Sequence, residues 1–205
     1  MSKQRQTSSW GGNPPQDANE ARQRLAAIAI DCFSEKGLRK AFMAEVARAA
    51  GISRPTLYSY YPSKESLMFG AMGLEVEGWL RRQRRRVLRF DTPQERLVEG
   101  VLYSIAELPK TRVLKFIADP EYIPFVAKDD PSMRRSLEAN AQALEPVLEL
   151  APALRERQYE VAEVVQRTVT SFLQYQIGEP RTVAQLRKFL HRTLVPAAGL
   201  QTLKP

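Results

Sequence analysis

The chain has one cysteine, Cys32, and one histidine, His191, in 205 residues. A lone cysteine cannot close an internal disulfide, so a reducing compartment fits, and the cytoplasm is the expected location. One histidine and one cysteine cannot assemble a zinc-ligand set, a Ser/His/Asp triad or a Cys/His pair. No metal, no cofactor and no enzymatic activity are therefore expected. Apolar runs are short, and none approaches the roughly 18 residues of a membrane-spanning helix. The N-terminus lacks the apolar stretch of a signal peptide. No segment alternates apolar and polar residues as a half-buried strand does. Gly70-x-x-Gly73 has neither the preceding strand nor the following Lys-Ser/Thr of a phosphate loop.

Basic charge, by contrast, is in excess. Lys and Arg number 31 against 23 Asp and Glu, a net of +8. Residues 1–90 carry 16 basic and 8 acidic side chains, whereas residues 91–205 carry 15 of each. The whole excess lies in the first part. Such asymmetry suits a polyanionic partner, nucleic acid or a membrane surface, and equally a solvated basic face.

Residues 1–16 are rich in Ser, Gln, Asn, Gly and Pro and are expected to form a disordered arm. Asp17-x-x-Glu20 then reads as a helix start, and Leu25, Ile28, Ala29, Cys32 and Phe33 follow at helical spacing until Gly37. A short helix is expected over 43–50. Gly51 and Ile52 follow it, and Ser53 caps a third helix with Pro55 in its first turn, ending before Pro62. Ser63 caps a long fourth helix to about Phe90. Thr92-Pro93-Gln94-Glu95 starts a fifth, to about Leu108. Four prolines between 109 and 131 limit that stretch to short elements. Further helices are expected at 130–150, 152–176 and 182–196. The fold class is all-α.

Three short helices with a glycine-centred turn between the second and third make a helix-turn-helix over residues 43–61. The third helix would enter the major groove while the second crosses the phosphate backbone. Ala47 lets the two helices approach, Gly51 makes a left-handed turn, and Ile52 and Leu57 fill the wedge. Short helix pairs with a glycine turn also occur in plain bundles.

The run Val46-Ala47-x-x-Ala50-Gly51-Ile52-Ser53-x-x-x-Leu57-Tyr58-x-Tyr60-Tyr61-x-x-Lys64-Glu65-x-Leu67 resembles the N-terminal signature of the TetR family of bacterial repressors. About a dozen positions match without a gap, over residues 22–68. Beyond them the likeness is of architecture only, an all-α domain ending in two long helices.

The resemblance implies a homodimeric, sequence-specific transcriptional regulator. It would be a repressor released from a palindromic operator by a small-molecule effector; a constitutive or architectural DNA binder is the alternative. It implies a DNA-binding domain at 17–62 joined by a long helix to an effector-binding and dimerisation domain within 63–205. Arg54, Pro55, Thr56, Tyr58, Ser59 and Tyr60 take the exposed part of the recognition helix. Arg54 is placed for guanine edges, Thr56 for a thymine methyl or a phosphate, and the Tyr58 and Tyr60 hydroxyls for phosphates. Lys64 matches a phosphate-contacting lysine, and Tyr61 is expected in the core. One departure stands out. The family starts its second helix with a hydroxyl residue, but here Ala41, Phe42 and Met43 have none, so a phosphate contact there would pass to Arg39, Lys40 or backbone N–H groups. The arm could add contacts through Lys3 and Arg5.

The last two helices carry more apolar surface than one small core needs. The resemblance implies that these two helices form the dimer interface, with Val161, Val165, Thr168, Phe172, Leu186, Phe189 and Leu190 as the expected dimerisation residues; the alternative is that both helices simply close their own domain. Trp79, Tyr103, Phe116, Tyr122, Phe125 and Phe172 are candidates to line an effector pocket suited to an apolar or aromatic molecule. Arg81, Arg82, Arg84, Arg85, Arg86 and Arg89 stand roughly 20 Å or more along the fourth helix from Lys64. Direct phosphate contact is not expected of them; a solvated face, long-range steering of DNA and binding of an anionic partner remain open. Cys32 and His191 are expected as packing and surface or interface residues.

Overall fold

A computed structural model describes residues 9–40, 43–120, 122, 130–175 and 178–200, without the side chains of 9, 38–40 and 130–133. The chain divides into two compact units, Met1–Glu75 and Val76–Pro205. Among the described residues every regular element is helical. The α-helices are α1 (Ala18–Lys40), α2 (Met43–Ala49), α3 (Arg54–Tyr60), α4 (Lys64–Val87), α5 (Pro93–Glu107), α6 (Asp130–Ala143), α7 (Glu145–Leu148), α8 (Gln158–Gln174) and α9 (Val183–Ala197). Single 3₁₀ turns occur at Ser9–Gly12, Leu108–Lys110, Leu114–Ala118 and Pro152–Arg157.

Each expected cap is in place. The Asp17 carboxylate accepts the Glu20 N–H at 2.7 Å. Ser53 Oγ accepts from Thr56 N at 3.2 Å and Thr92 Oγ1 from Glu95 N at 3.2 Å. Ser63 and Ser66 cap each other's backbone at 2.9 and 3.1 Å. Thr182 and Gln185 form a full capping box. Each cap satisfies an N–H that a helix start leaves without a partner.

Three expected helices differ from those observed. Gly37, at φ 76°, breaks the first helix as expected, but helical turns resume to Lys40. The expected helix over 130–150 breaks after Ala143. Pro146 has no N–H, and there the chain closes tighter bonds, Leu144 N to Ala141 O at 3.1 Å and Val147 N to Leu144 O at 2.8 Å. The residues after Pro152 form a 3₁₀ turn, so the α-helix starts only at Gln158.

In the first unit α1, α2 and α3 pack pairwise. Leu25, Ala29 and Phe33 of α1 meet Val46, Ala47 and Leu57, all at most 2% exposed. Tyr61 closes this core at 9% exposure, and its hydroxyl donates to the Arg22 carbonyl at 3.1 Å. In the second unit α5 is the central helix, packed against α7, α8 and α9. It buries a charge: the Glu99 carboxylate accepts from Arg187 Nε at 2.6 Å and Arg86 Nη2 at 3.3 Å. A carboxylate out of water needs such partners.

Gly70 is fixed by packing. A Cβ there would stand 2.5 Å from the Tyr61 hydroxyl oxygen and under 3 Å from two of its ring carbons. Tyr61 is buried and tied to Arg22, so it cannot swing aside. Alanine's better helix propensity gains about 1 kcal/mol, and overpacking costs roughly 1–3. Gly70→Ala should therefore lower stability by about 1 kcal/mol. Chemical unfolding followed by circular dichroism checks this, and unchanged or higher stability would show that Tyr61 is free to move.

Candidate nucleic-acid interface

The candidate interface is built around the turn between α2 and α3. Gly51 has φ 65°, the left-handed region that a Cβ disfavours. Around it Gly51 N donates to Arg48 O at 3.1 Å and Ile52 N to Ala47 O at 3.0 Å, closing the end of α2. Ser53, extended at φ −74° and ψ 154°, then starts α3, with Pro55 in its first turn. Leu57 is fully buried, which fixes the opposite side of α3 as the open one.

That open side carries the residues the sequence indicated. Arg54, Pro55, Tyr58 and Ser59 are exposed, Tyr58 at 47%, and Thr56 and Tyr60 are half-buried. Arg54 makes no ion pair among the described residues, so its guanidinium is open to a ligand. The Thr56 hydroxyl lies 2.8 Å from Ser53 Oγ, and Ser59 Oγ donates to Thr56 O at 2.7 Å, so both hydroxyls are engaged within the helix. Lys64 opens α4 half-buried; burial draws its ammonium pKa down from the ordinary lysine value, and Glu65 opposes that shift. Met43 is buried at 8% exposure and cannot reach a phosphate, while Ala41 and Phe42 lie outside the described residues. Glu45, in the first turn of α2, pairs with Lys36 and lies 3.9 Å from Arg48.

The expectation of a structureless arm fails for residues 9–16. Ser9–Gly12 form a turn whose Trp10 N–H donates to the Gly51 carbonyl at 3.1 Å. The Trp10 ring meets the Tyr60 ring edge-on, centroids 6.1 Å apart. Composition hid this order, and the only sequence signal was a tryptophan within a polar stretch. Lys3 and Arg5 lie outside the described residues.

The basic excess also divides unexpectedly. Residues 1–75 carry 10 basic and 7 acidic side chains, and residues 76–90 carry 6 and 1. Most of the excess thus falls on the arginines of α4 in the second unit. There Arg84 pairs with Glu149 at 2.7 Å and Arg86 with Glu99 at 3.3 Å. Arg81, Arg82, Arg85 and Arg89 are exposed and form no ion pair among the described residues.

The candidates for the second unit split into groups. Trp79 and Tyr103 are in ring contact at 5.9 Å, and Trp79 is buried with no acceptor for its indole N–H among the described residues. Phe116 and Tyr122 are also buried; burial pushes the Tyr122 phenol pKa up. Phe125 lies outside the described residues. Phe172 faces elsewhere, meeting Phe189 at 5.9 Å. Those two rings, with Thr168, Leu186 and Leu194, line an open groove of about 730 Å³ between α8 and α9. Arg181 stands 4.7 Å over the Phe189 ring at its edge. Val165 is half-buried nearby on α8. Val161 and Leu190 correct the dimerisation set: at 2% and 0% exposure they pack their own core and offer no surface to a partner. Cys32 and His191 are half-buried; burial, then the Glu45 charge, raises the Cys32 thiol pKa, which disfavours a reactive thiolate.

Residues 25–71, which hold α2, α3 and the start of α4, match the model of the tetR family of bacterial regulatory proteins. Over these residues the chain is similar to the DNA-binding domain of the TetR family. Nucleoid occlusion factor SlmA of Haemophilus ducreyi is 29% identical over 107 residues, 49% of this chain and 52% of SlmA. The regulator AcrR of Shigella flexneri is 35% identical over 52 residues, 25% of this chain and 24% of AcrR. The chain spans about half the length, or less, of the curated relatives it matches. Among solved structures, AibR, determined with isovaleryl coenzyme A and operator DNA, is 16% identical at a TM-score of 0.45, covering 87% of this chain and 97% of AibR. A TetR/AcrR-family regulator from Thermobifida fusca is 16% identical at 0.47, covering 86% and 97%.

Ser53 is the cap on which α3 begins. Ser53→Ala removes the acceptor for Thr56 N and should cost about 1 kcal/mol of stability. Equilibrium unfolding in urea measures this, and an unchanged midpoint would mean that water replaces the cap at no cost.

Proposed function

We propose that this chain is a sequence-specific DNA-binding transcriptional regulator, a repressor that binds a palindromic operator as a homodimer. The observation that carries the reading is the open face of α3, where Arg54, with no ion pair among the described residues, stands beside Pro55 and Tyr58 on a helix held by a glycine turn and a buried Leu57. A guanidinium at the start of a recognition helix can pair bidentately with the O6 and N7 edge of guanine. Tyr58, Tyr60 and Lys64 then serve as backbone-positioning contacts, which set register without reading sequence.

Two features of the second unit support the rest of the reading. The open groove between α8 and α9 is lined by the half-buried Phe172, Leu186 and Phe189, an apolar surface that a second copy would cover. The buried Trp79 indole N–H, without an acceptor among the described residues and beside Tyr103, suits a small-molecule effector that supplies a carbonyl or similar oxygen. Release of operator by that effector would make the chain a one-component switch, working in the cytoplasm.

Selection of bound duplexes from random DNA with the full chain should return a palindrome; a product with no preferred sequence would overturn sequence-specific regulation. On the selected operator, Arg54→Ala should lose discrimination by about 1–3 kcal/mol at one base position per half-site. Lys64→Ala should weaken operator and random DNA alike and make the salt dependence shallower by about one unit of log–log slope per subunit. Equal selectivity in Arg54→Ala and the parent would remove Arg54 from the reading role. Phe189→Glu places a charge in the α8–α9 groove and should shift sedimentation from dimer to monomer; a persistent dimer would place the interface elsewhere.

A further inference from the structure

Trp10 is held in the left-handed conformation, φ 63° and ψ 28°, as the one non-glycine residue with positive φ among those described. An L-residue stays in that region only where its surroundings hold it, and such sites gather where function needs a fixed geometry. Several contacts hold this one. Trp10 N–H donates to Gly51 O at 3.1 Å, and Asn13 N–H donates to Trp10 O at 3.2 Å. Arg24 Nη1 donates to Asn13 O at 2.7 Å, tying the segment to α1. A Cβ on Gly51 would come within 3.1 Å of Gly11 N, so the segment lies directly on the turn between α2 and α3.

The indole side chain reaches the recognition helix. Its ring meets Tyr60 edge to face, centroids 6.1 Å apart and planes at 77°. The Arg22 guanidinium of α1 lies 6.0 Å from the same Tyr60 ring. Tyr60 is the last residue of α3, followed by extended Tyr61. A tyrosine at a helix end normally surrenders rotamer freedom when it is immobilised on a partner. Here that freedom is already restricted by two neighbours from outside the helix.

We infer that Trp10 is a positioning residue for DNA binding: it holds the Tyr60 ring, and so its phosphate-facing hydroxyl, in the bound geometry before DNA arrives. The inference rests on the regulator reading above and extends the reading head to a segment that precedes α1. Trp10 acts through Tyr60 and need not touch DNA. Its backbone bond to Gly51 keeps the segment and the turn together, so the ring contact follows α3.

The test is a double-mutant cycle on the full chain with the selected operator duplex, using Trp10→Ala and Tyr60→Phe. Trp10→Ala should weaken operator binding about three- to tenfold, the scale of one aromatic pair. Tyr60→Phe removes the hydroxyl and should weaken binding to a similar degree. The double variant should be little worse than the weaker-binding single variant, because both changes disable one contact. Trp10→Phe, which keeps an aromatic edge, should recover most of the affinity. A structural role for Trp10 alone would give factors that multiply, and multiplying factors overturn the inference. Wild-type affinity in Trp10→Ala with wild-type helicity overturns it as well. If Trp10→Ala loses helicity, Trp10→Leu keeps the apolar bulk without the ring and is read by the same criteria. If the parent chain selects no operator at all, the regulator reading falls, and this inference with it; if the parent selects one and the cycle shows no coupling, this inference alone falls.

Discussion

The left-handed turn at Gly51 is the constraint on which the helix-turn-helix depends. The helices on either side, α2 and α3, have seven residues each. Helices that short do not persist alone in water, because nucleation costs more than a few hydrogen bonds return. They persist here because the turn brings Val46 and Ala47 against Leu57, with Ile52 N bonded back to Ala47. Once Leu57 is buried, 3.6-residue periodicity leaves Arg54 and Tyr58 on the open side. The same turn offers its carbonyl to Trp10. One backbone conformation thus sets both the exposed face and the segment packed beside it.

That part of the molecule was legible because its signals are local and agree with one another. A glycine after a short apolar pattern, a serine cap, a proline in the first helical turn and a second proline as terminator leave few alternatives for residues 46–62. Capping residues behaved in the same way at Asp17, Thr92 and Thr182, since each bonds within three or four residues of itself. Trp10 was not legible for the opposite reason. Its partners, Gly51 and Tyr60, lie some forty to fifty residues away, and a stretch of Gly, Ser and Asn carries no periodicity to announce them. Composition reports whether a segment can build its own core, not whether it can dock onto one already built.

Periodicity misled in a different way in the second unit. An apolar stripe on a helix shows that a face is covered, but it does not tell a domain's own core from a partner. Val161 shares its stripe on α8 with Phe172, and Leu190 follows Phe189 on α9, yet Val161 and Leu190 are sealed inside while Phe172 and Phe189 line an open groove. On α9 the two residues point about 100° apart, and on α8 they stand roughly 16 Å apart along one face, so only packing decides which end or side is covered. The 130–150 pattern hides a break of similar kind. Its periodicity continues through Pro146, while the backbone cannot, and the short bond from Val147 to Leu144 marks the change.

Charge is the signal whose meaning changed most. A net of +8 concentrated before residue 90 pointed to a polyanion, but most of that excess sits on α4 beyond residue 75, away in sequence from α3. The α4 arginines also differ among themselves. Arg86, with Arg187, pairs with the buried Glu99 side chain inside the second unit, where an unpaired carboxylate would be costly. Arg84 makes a half-exposed pair worth little to stability. Arg81, Arg82, Arg85 and Arg89 have no acidic partner among the described residues, and their field acts on whatever approaches. Reading the sum as one footprint would assign DNA contacts to side chains that hold a core together. Near α3 the net charge is modest, so under the proposed function specific binding would rest on where Arg54, Tyr58, Tyr60 and Lys64 are placed more than on bulk attraction.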